Sequence, residues 1–200
     1  MLISTFSFPP IAQGCHVTAL DLRPSPLPLS PNLFALRGDT SSEASIEESI
    51  STAISHFGAI NILVANAGIT DESASYPIWK LPLELWEKTY ATNVRGTFLT
   101  IKHFLAAAKG AQESSGGELE NLAIVVTGSE CGRFGQEGHG EYASGKAGLQ
   151  YGLVRTVKNE IVRLNSKGRI NAVAPGWVDT PLIEGRLDDP HEMWVEAQAT

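Results

Sequence analysis

Short apolar runs and stretches of helical period take turns along this chain, and that alternation restricts its fold more than any other feature. The runs are residues 16–20 (HVTAL, closed by Asp21), 32–36, 60–65 (INILVA), 122–127 and 169–173. Between them, residues 42–57 carry Ile46, Ile50, Ala53, Ile54 and Phe57 at spacings of three and four, one face of a helix with Ser41 or Ser42 as its cap. Pro82 opens a long helix that runs through Asn93 toward Lys109, and residues 142–164 form a second. Strand and helix in alternation predict an open α/β sheet with parallel strands. INILVA is continuously apolar, as expected of a strand covered on both faces. Residues 24–31 hold Pro24, Pro26, Pro28 and Pro31, which exclude regular structure there. Residues 111–120 are polar and glycine-bearing and read as a surface loop; a last loop leads to a short helix over 191–199.

A chain of 200 residues suits one domain. With 42% apolar and 18% charged residues it is globular rather than disordered. The net charge of -7 and the absence of a Lys/Arg cluster argue against a nucleic-acid partner. No apolar run approaches the ~20 residues of a membrane span, and residues 1–10 fit neither a secretion signal nor an anchor. Two cysteines, Cys15 and Cys131, fit a reducing compartment, with cytoplasm as the default. No metal site is expected.

The chemistry centres on Tyr142-Ala-Ser-Gly-Lys146. Tyrosine and lysine four apart share a helix face, and a nearby ammonium favours the phenolate. Such a tyrosine can exchange a proton with a carbonyl or alcohol oxygen; the plain alternative is a helix-surface pair. Ser129 follows the strand AIVVT, where an α/β sheet presents residues at the carboxyl ends of its strands, and its hydroxyl can bond the same oxygen. Asn93 lies inside a helix, where asparagine is a poor former. Either it is a solvated surface residue, or its side chain or a local backbone distortion holds a water for a relay to Lys146. Asn66-Ala67-Gly68 follows INILVA directly, and Pro175-Gly176-Trp177-Val178-Asp179-Thr180 follows RINAV; each suits a turn.

In this order and on these elements, Ala65-Asn66-Ala67-Gly68, Asn93, Ser129, Tyr142-x-x-x-Lys146 and Pro175-Gly176 resemble the short-chain dehydrogenase/reductase family in its roughly 250-residue form, from about residue 11 to about residue 195. The resemblance implies a doubly wound, Rossmann-like parallel sheet. It also implies an oxidoreductase that moves hydride between NAD or NADP and a secondary alcohol or ketone of a small or mid-sized molecule. Asn93 would order a relay, Ser129 hold the substrate oxygen, Tyr142 act as acid/base, and Lys146 assist Tyr142 and bind the nicotinamide ribose. Asn66, Val178 and Thr180 would lie along the cofactor. Asp21 would bond the adenosine ribose and favour NAD over NADP, an inference that Arg23 weakens, and Asp39 would meet the adenine unless it is only a turn residue before a helix. Residues 130–139 and 177–194 would line the substrate pocket. A homodimer or homotetramer would form through the two long helices, with Phe98, Ile101, Leu105, Leu149, Leu153 and Val157 as core or interface.

The family's glycine-rich phosphate loop begins about 24 residues before the acid of the second strand, which falls upstream of Met1. The expectation is therefore a single incomplete domain over residues 11–200, lacking the first strand with its loop and the last strand, joined to an unrelated segment over residues 1–10. A catalytically inactive interaction subunit and a non-functional fragment follow as alternatives to an active enzyme.

Overall fold

The five apolar runs are β-strands, and every pairing among them is parallel. In the computed structural model, which describes residues 10–11, 13–23, 30–71, 75–176 and 178, they are β1 (Val17–Asp21), β2 (Leu33–Arg37), β3 (Ile62–Ala65), β4 (Ala123–Thr127) and β5 (Arg169–Val173). The helices are α1 (Glu43–Phe57), α2 (Leu83–Tyr90), α3 (Gly96–Ser115), α4 (Cys131–Phe134), α5 (Gly140–Ala147) and α6 (Val154–Leu164). Two π-helical segments interrupt the long helices: Ala91–Arg95 joins α2 to α3, and Gly148–Leu153 joins α5 to α6. The short α4 was not read from the sequence, and neither was a 3-10 turn at Ile78–Lys80. The closing helix expected over 191–199 lies outside the described residues.

The strands form two sheets, β1-β2 and β3-β4-β5, and among the described residues no hydrogen bonds join β1 to β3. Register runs from Val17 opposite Leu33 to Asp21 opposite Arg37 in the first sheet. In the second, Leu63, Ile124 and Ile170 lie side by side, as do Ala65, Val126 and Ala172. In-register residues of parallel strands point to one face, and these two rows meet α3 and α6. Ile101, Phe104 and Ala108 come from α3, and Val154, Val157 and Ile161 from α6, to close one buried cluster. Ile101, Leu149 and Val157 thus belong to the core, whereas Phe98 is exposed.

The opposite face of β3 corrects an expectation. Ile62 and Val64 are 52% and 42% exposed, so INILVA is covered on one face rather than two. A second correction concerns residues 111–120. Helix α3 continues to Ser115 and stops where Gly116 takes a left-handed φ of 70°. The polar Gln112 holds this last turn in place: its Nε2 donates to the Leu164 carbonyl, and its Oε1 accepts from the Leu119 N–H and from Asn165.

Helix α1 begins at Ser42, whose hydroxyl accepts from the Ser45 N–H. Ile46 and Ala53 are its buried contacts, and Phe57 and His56 stack on His16 and Phe34 of the β1-β2 side. No helix among the described residues is long and apolar enough to cross a membrane.

Candidate active site

All the strands of each sheet point one way, so their carboxyl ends form one edge, and the loops leaving β3, β4 and β5 meet there. Asn66 leaves β3 and accepts a hydrogen bond at Oδ1 from Thr127 Oγ1, 2.9 Å away at the end of β4. Beyond Thr127 the chain runs alongside the segment after β5. Gly128 N–H donates to the Val173 carbonyl (2.7 Å) and Glu130 N–H to the Pro175 carbonyl (3.0 Å). Ser129 thereby lies against the Pro175-Gly176 turn, and the Glu130 carboxylate sits over Gly176, where an added Cβ would come within 2.8 Å of it.

Asn93 is buried in the first π-helical segment. Its amide works as a surrogate peptide group: Oδ1 accepts from Ile69 N–H (2.7 Å) and Nδ2 donates to the Ile69 carbonyl (2.8 Å). The side chain is therefore committed to the loop after β3. Of the two readings drawn from the sequence, the solvated one is excluded and the backbone distortion is present. π-Helical turns of this kind recur at functional sites. Gly68 lies on this loop beside both Asn93 and Lys146, within ordinary contact distance of each. A Cβ there would be 3.4 Å from Asn93 Oδ1 and 3.6 Å from Lys146 Nζ.

Lys146 is 4% exposed and donates from Nζ to the Thr127 carbonyl at 2.7 Å. Burial pushes its ammonium down to about 8, an effect that the neighbouring Cys131 sulfur opposes. The same Nζ lies 5.6 Å from the centre of the Tyr142 ring, so the tyrosine and lysine of one helix face are neighbours in space as well as in sequence. Ser129 is 7% exposed, and its backbone N–H donates to Gln150 Oε1 at 2.8 Å. Glu141, next to Tyr142, is buried with neither carboxylate oxygen hydrogen-bonded, a cost the fold carries beside the acid/base candidate.

Asn66, Asn93, Ser129, Tyr142 and Lys146 thus gather around the end of β4. Asp21 and Asp39 stand apart, on the β1-β2 sheet. Asp21 Oδ1 accepts from the Arg23 N–H (2.8 Å), and Asp39 Oδ1 accepts from both the N–H and the hydroxyl of Ser41 in the turn before α1. Val178 is exposed, and Thr180 lies outside the described residues. Two neighbours of the site were not singled out in the sequence, Thr127 and Gln150, whereas Cys131 falls within the residues 130–139 expected to line the substrate pocket. Of those two only Gln150 carried a signal, its place four residues after Lys146 on the same helix face. A groove of about 780 Å³ runs along α2 and the first π-helical segment, lined by Trp86, Tyr90, Val94, Arg95 and Phe98, none of them part of this cluster.

A sequence model of the family described as short chain dehydrogenase matches residues 11–190. The chain is 30% identical over 194 residues to 2-(R)-hydroxypropyl-CoM dehydrogenase of Xanthobacter autotrophicus, covering 90% of this chain and 71% of that protein. It is 34% identical over 176 residues to cis-4-hydroxycyclohexanecarboxylate dehydrogenase of Sinomonas cyclohexanicum, covering 88% of this chain and 64% of that protein. Among solved structures, levodione reductase superposes with a TM-score of 0.67 at 28% identity, over 83% of this chain and 60% of that one. A 3-ketoacyl-(acyl-carrier-protein) reductase from Brucella melitensis complexed with NADH shares the fold, with a TM-score of 0.73 at 22% identity over 86% of this chain and 70% of that one.

Proposed function

The chain belongs to the short-chain dehydrogenase family, and on that premise we propose that it is an NAD(P)-dependent oxidoreductase interconverting a secondary alcohol and a ketone of a small or mid-sized organic molecule. The observation that carries this reading is the buried Lys146 ammonium set 5.6 Å from the Tyr142 ring, with Ser129 two residues beyond the carbonyl that holds the lysine. Tyr142 delivers a proton to the carbonyl oxygen in reduction and accepts it in oxidation. Ser129 donates its hydroxyl hydrogen bond to the same oxygen as charge develops there. The lysine's positive charge stabilises the phenolate that proton delivery leaves in reduction and that accepts the proton in oxidation. Asn93 orders the loop over Lys146 through the backbone of Ile69.

The donors and the clearance at this edge fit a nicotinamide riboside. Lys146 presents a buried ammonium, and Gly68 leaves beside it and Asn93 the room that a Cβ would take up in ordinary contact. Asn66, Tyr142, Lys146, Val178 and Thr180 would hold that end, and Asp21 and Asp39 the adenosine end. The bound cofactor supplies or takes up the hydride. Asp21 favours NAD, because a carboxylate bonds a ribose hydroxyl and repels a phosphate.

Titration of the purified chain with NADH and NADPH, followed by turnover on a panel of ketones, tests the proposal. NADH binding with turnover that Tyr142→Phe abolishes is the expected result. Absence of both binding and turnover overturns it. A second reading, an interaction subunit without catalysis, draws support from the divided sheet, since no hydrogen bonds join β1 to β3 among the described residues. Partner capture by a chain that binds no nucleotide would favour it. Assembly as a homodimer or homotetramer through α3 and α6, on which Phe98 and Val162 are exposed, is the expected state; a stable monomer in light scattering at micromolar concentration contradicts it.

A further inference from the structure

Helix α5 and the π-helical segment after it grip the end of β4 at two points. Lys146 donates to the Thr127 carbonyl, and Gln150, four residues on, accepts from the Ser129 N–H at 2.8 Å. One point is a donor and the other an acceptor, so the strand end cannot slide by a residue without losing both. Between the two gripped residues lies Gly128. A Cβ built there would meet Gln150 Oε1 at 2.6 Å and its Cδ and Cγ at 2.7 Å. Gly132, one helical step past Ser129, would put a Cβ 2.6 Å from the same oxygen. Two glycines thus form the slot in which this amide lies, and Gln150 itself is 8% exposed. The π-helical winding of Gly148–Leu153 sets the direction in which the side chain leaves the helix.

We propose that Gln150 is a positioning residue of the active site: by holding the Ser129 backbone it fixes where the Ser129 hydroxyl meets the substrate oxygen relative to Tyr142. The role in turnover rests on the oxidoreductase reading above; the grip on Ser129 does not. Gln150 touches no reacting atom in this account and acts only through Ser129. The physical reason for its effect is that a misplacement of about 1 Å at a reacting centre costs about 100-fold in rate.

The test uses three variants of the full chain. Gln150→Met keeps the length and removes the acceptor. Gln150→Glu keeps an acceptor oxygen at the same reach. Gly128→Ala leaves Gln150 intact but displaces it, because the three nearest atoms to the added Cβ all belong to Gln150. Two readouts are taken: kcat and KM for a ketone at saturating NADH, and hydrogen–deuterium exchange of the Ser129 amide. Gln150→Met and Gly128→Ala are expected to lower kcat by about 10- to 100-fold with KM and NADH affinity within about 3-fold. Both are expected to speed exchange at Ser129 by about 10-fold or more, as loss of a net 1.4 kcal/mol hydrogen bond would. Gln150→Glu is expected to recover both within about 5-fold. Unchanged Ser129 exchange in Gln150→Met and Gly128→Ala overturns the grip, whatever the chain turns over. Faster exchange with full kcat overturns the catalytic role. Failure of the oxidoreductase reading has a separate signature, a wild-type chain that binds no nucleotide while the exchange pattern stands.

Discussion

The two sheets of this molecule are built to different depths. Around β3-β4-β5, a twelve-residue apolar cluster is fully buried, and polar side chains are buried with it: Asn93, Ser129, Lys146, Gln150 and Asn165. Most of them have been given partners on backbone groups at the carboxyl edge. Around β1-β2 only Ala19 of the strands is buried, and the sheet is held to α1 by stacked rings at its margin. Rigid placement of catalytic groups needs the first kind of surroundings, because a buried hydrogen-bonded side chain has one position available to it. Recognition of a distant part of a cofactor can be built on the second kind, with carboxylates such as Asp21 and Asp39 at strand ends. On the proposed reading, the difference puts the reacting centre on the larger sheet and leaves affinity and cofactor choice to the smaller one.

The sharpest way to break that contrast is at Tyr142. Tyr142→Phe should lower kcat by about 100- to 10,000-fold, the range for loss of a general acid–base group, while NADH affinity stays within about 3-fold. Residual turnover near wild type would move the reacting centre elsewhere.

Next in size is packing. Phe104 is almost completely buried under the larger sheet, and Phe34 is a partly exposed stacking residue of the smaller one. Phe104→Ala should destabilise by about 3–5 kcal/mol and Phe34→Ala by about 1–2 kcal/mol in urea unfolding. Equal losses would mean that the two sheets share one core.

The contrast also sorts what the sequence made legible. Strand positions came within one or two residues because an apolar run beside a helical period is a local signal. Tyr142 with Lys146, Ser129 and Asn93 stand out as candidates because each is a residue type fixed to an element end or a helix face, and the structure brings them together at the end of β4. What was missed depends on partners far along the chain. Ile62 and Val64 read as buried because they are apolar, yet exposure is decided by whether a helix crosses that face. Residues 111–115 read as loop because they are polar, yet Gln112 spends its amide on Leu119, Leu164 and Asn165. The π-helical segments span only five and six residues and leave no periodic trace that apolar spacing could reveal.

At the smaller sheet, Asp21→Asn should narrow the preference for NADH over NADPH by about 10-fold, as loss of one charge-assisted hydrogen bond would, with kcat at saturating cofactor little changed. The ratio of the two dissociation constants is the measurement. An unchanged ratio would remove Asp21 from the cofactor site, and a collapse of kcat would place part of the chemistry on the sheet assigned to affinity alone.

A pH series reads the depth of the larger sheet directly. Lys146 is held at about 8, below its usual 10.5, because burial disfavours its charged form. Below pH 8 the folded and unfolded chains both carry the proton. Between about 8 and 10.5 the unfolded chain keeps it and the folded chain has released it. The unfolded state then binds more protons, so this lysine makes stability rise with pH, by about 1.4 kcal/mol per pH unit at most. The contribution is complete above the unfolded value and is lost as pH falls through about 8. Lys146→Met abolishes the titration, so the stability of wild type relative to the variant should be level below about pH 8 and climb across that window, other groups cancelling in the difference. Urea unfolding of both chains at half-unit steps from pH 7 to 10.5 measures it. A difference that ignores pH would mean that water reaches Lys146, and that the end of β4 is no better sealed than the strands of the smaller sheet.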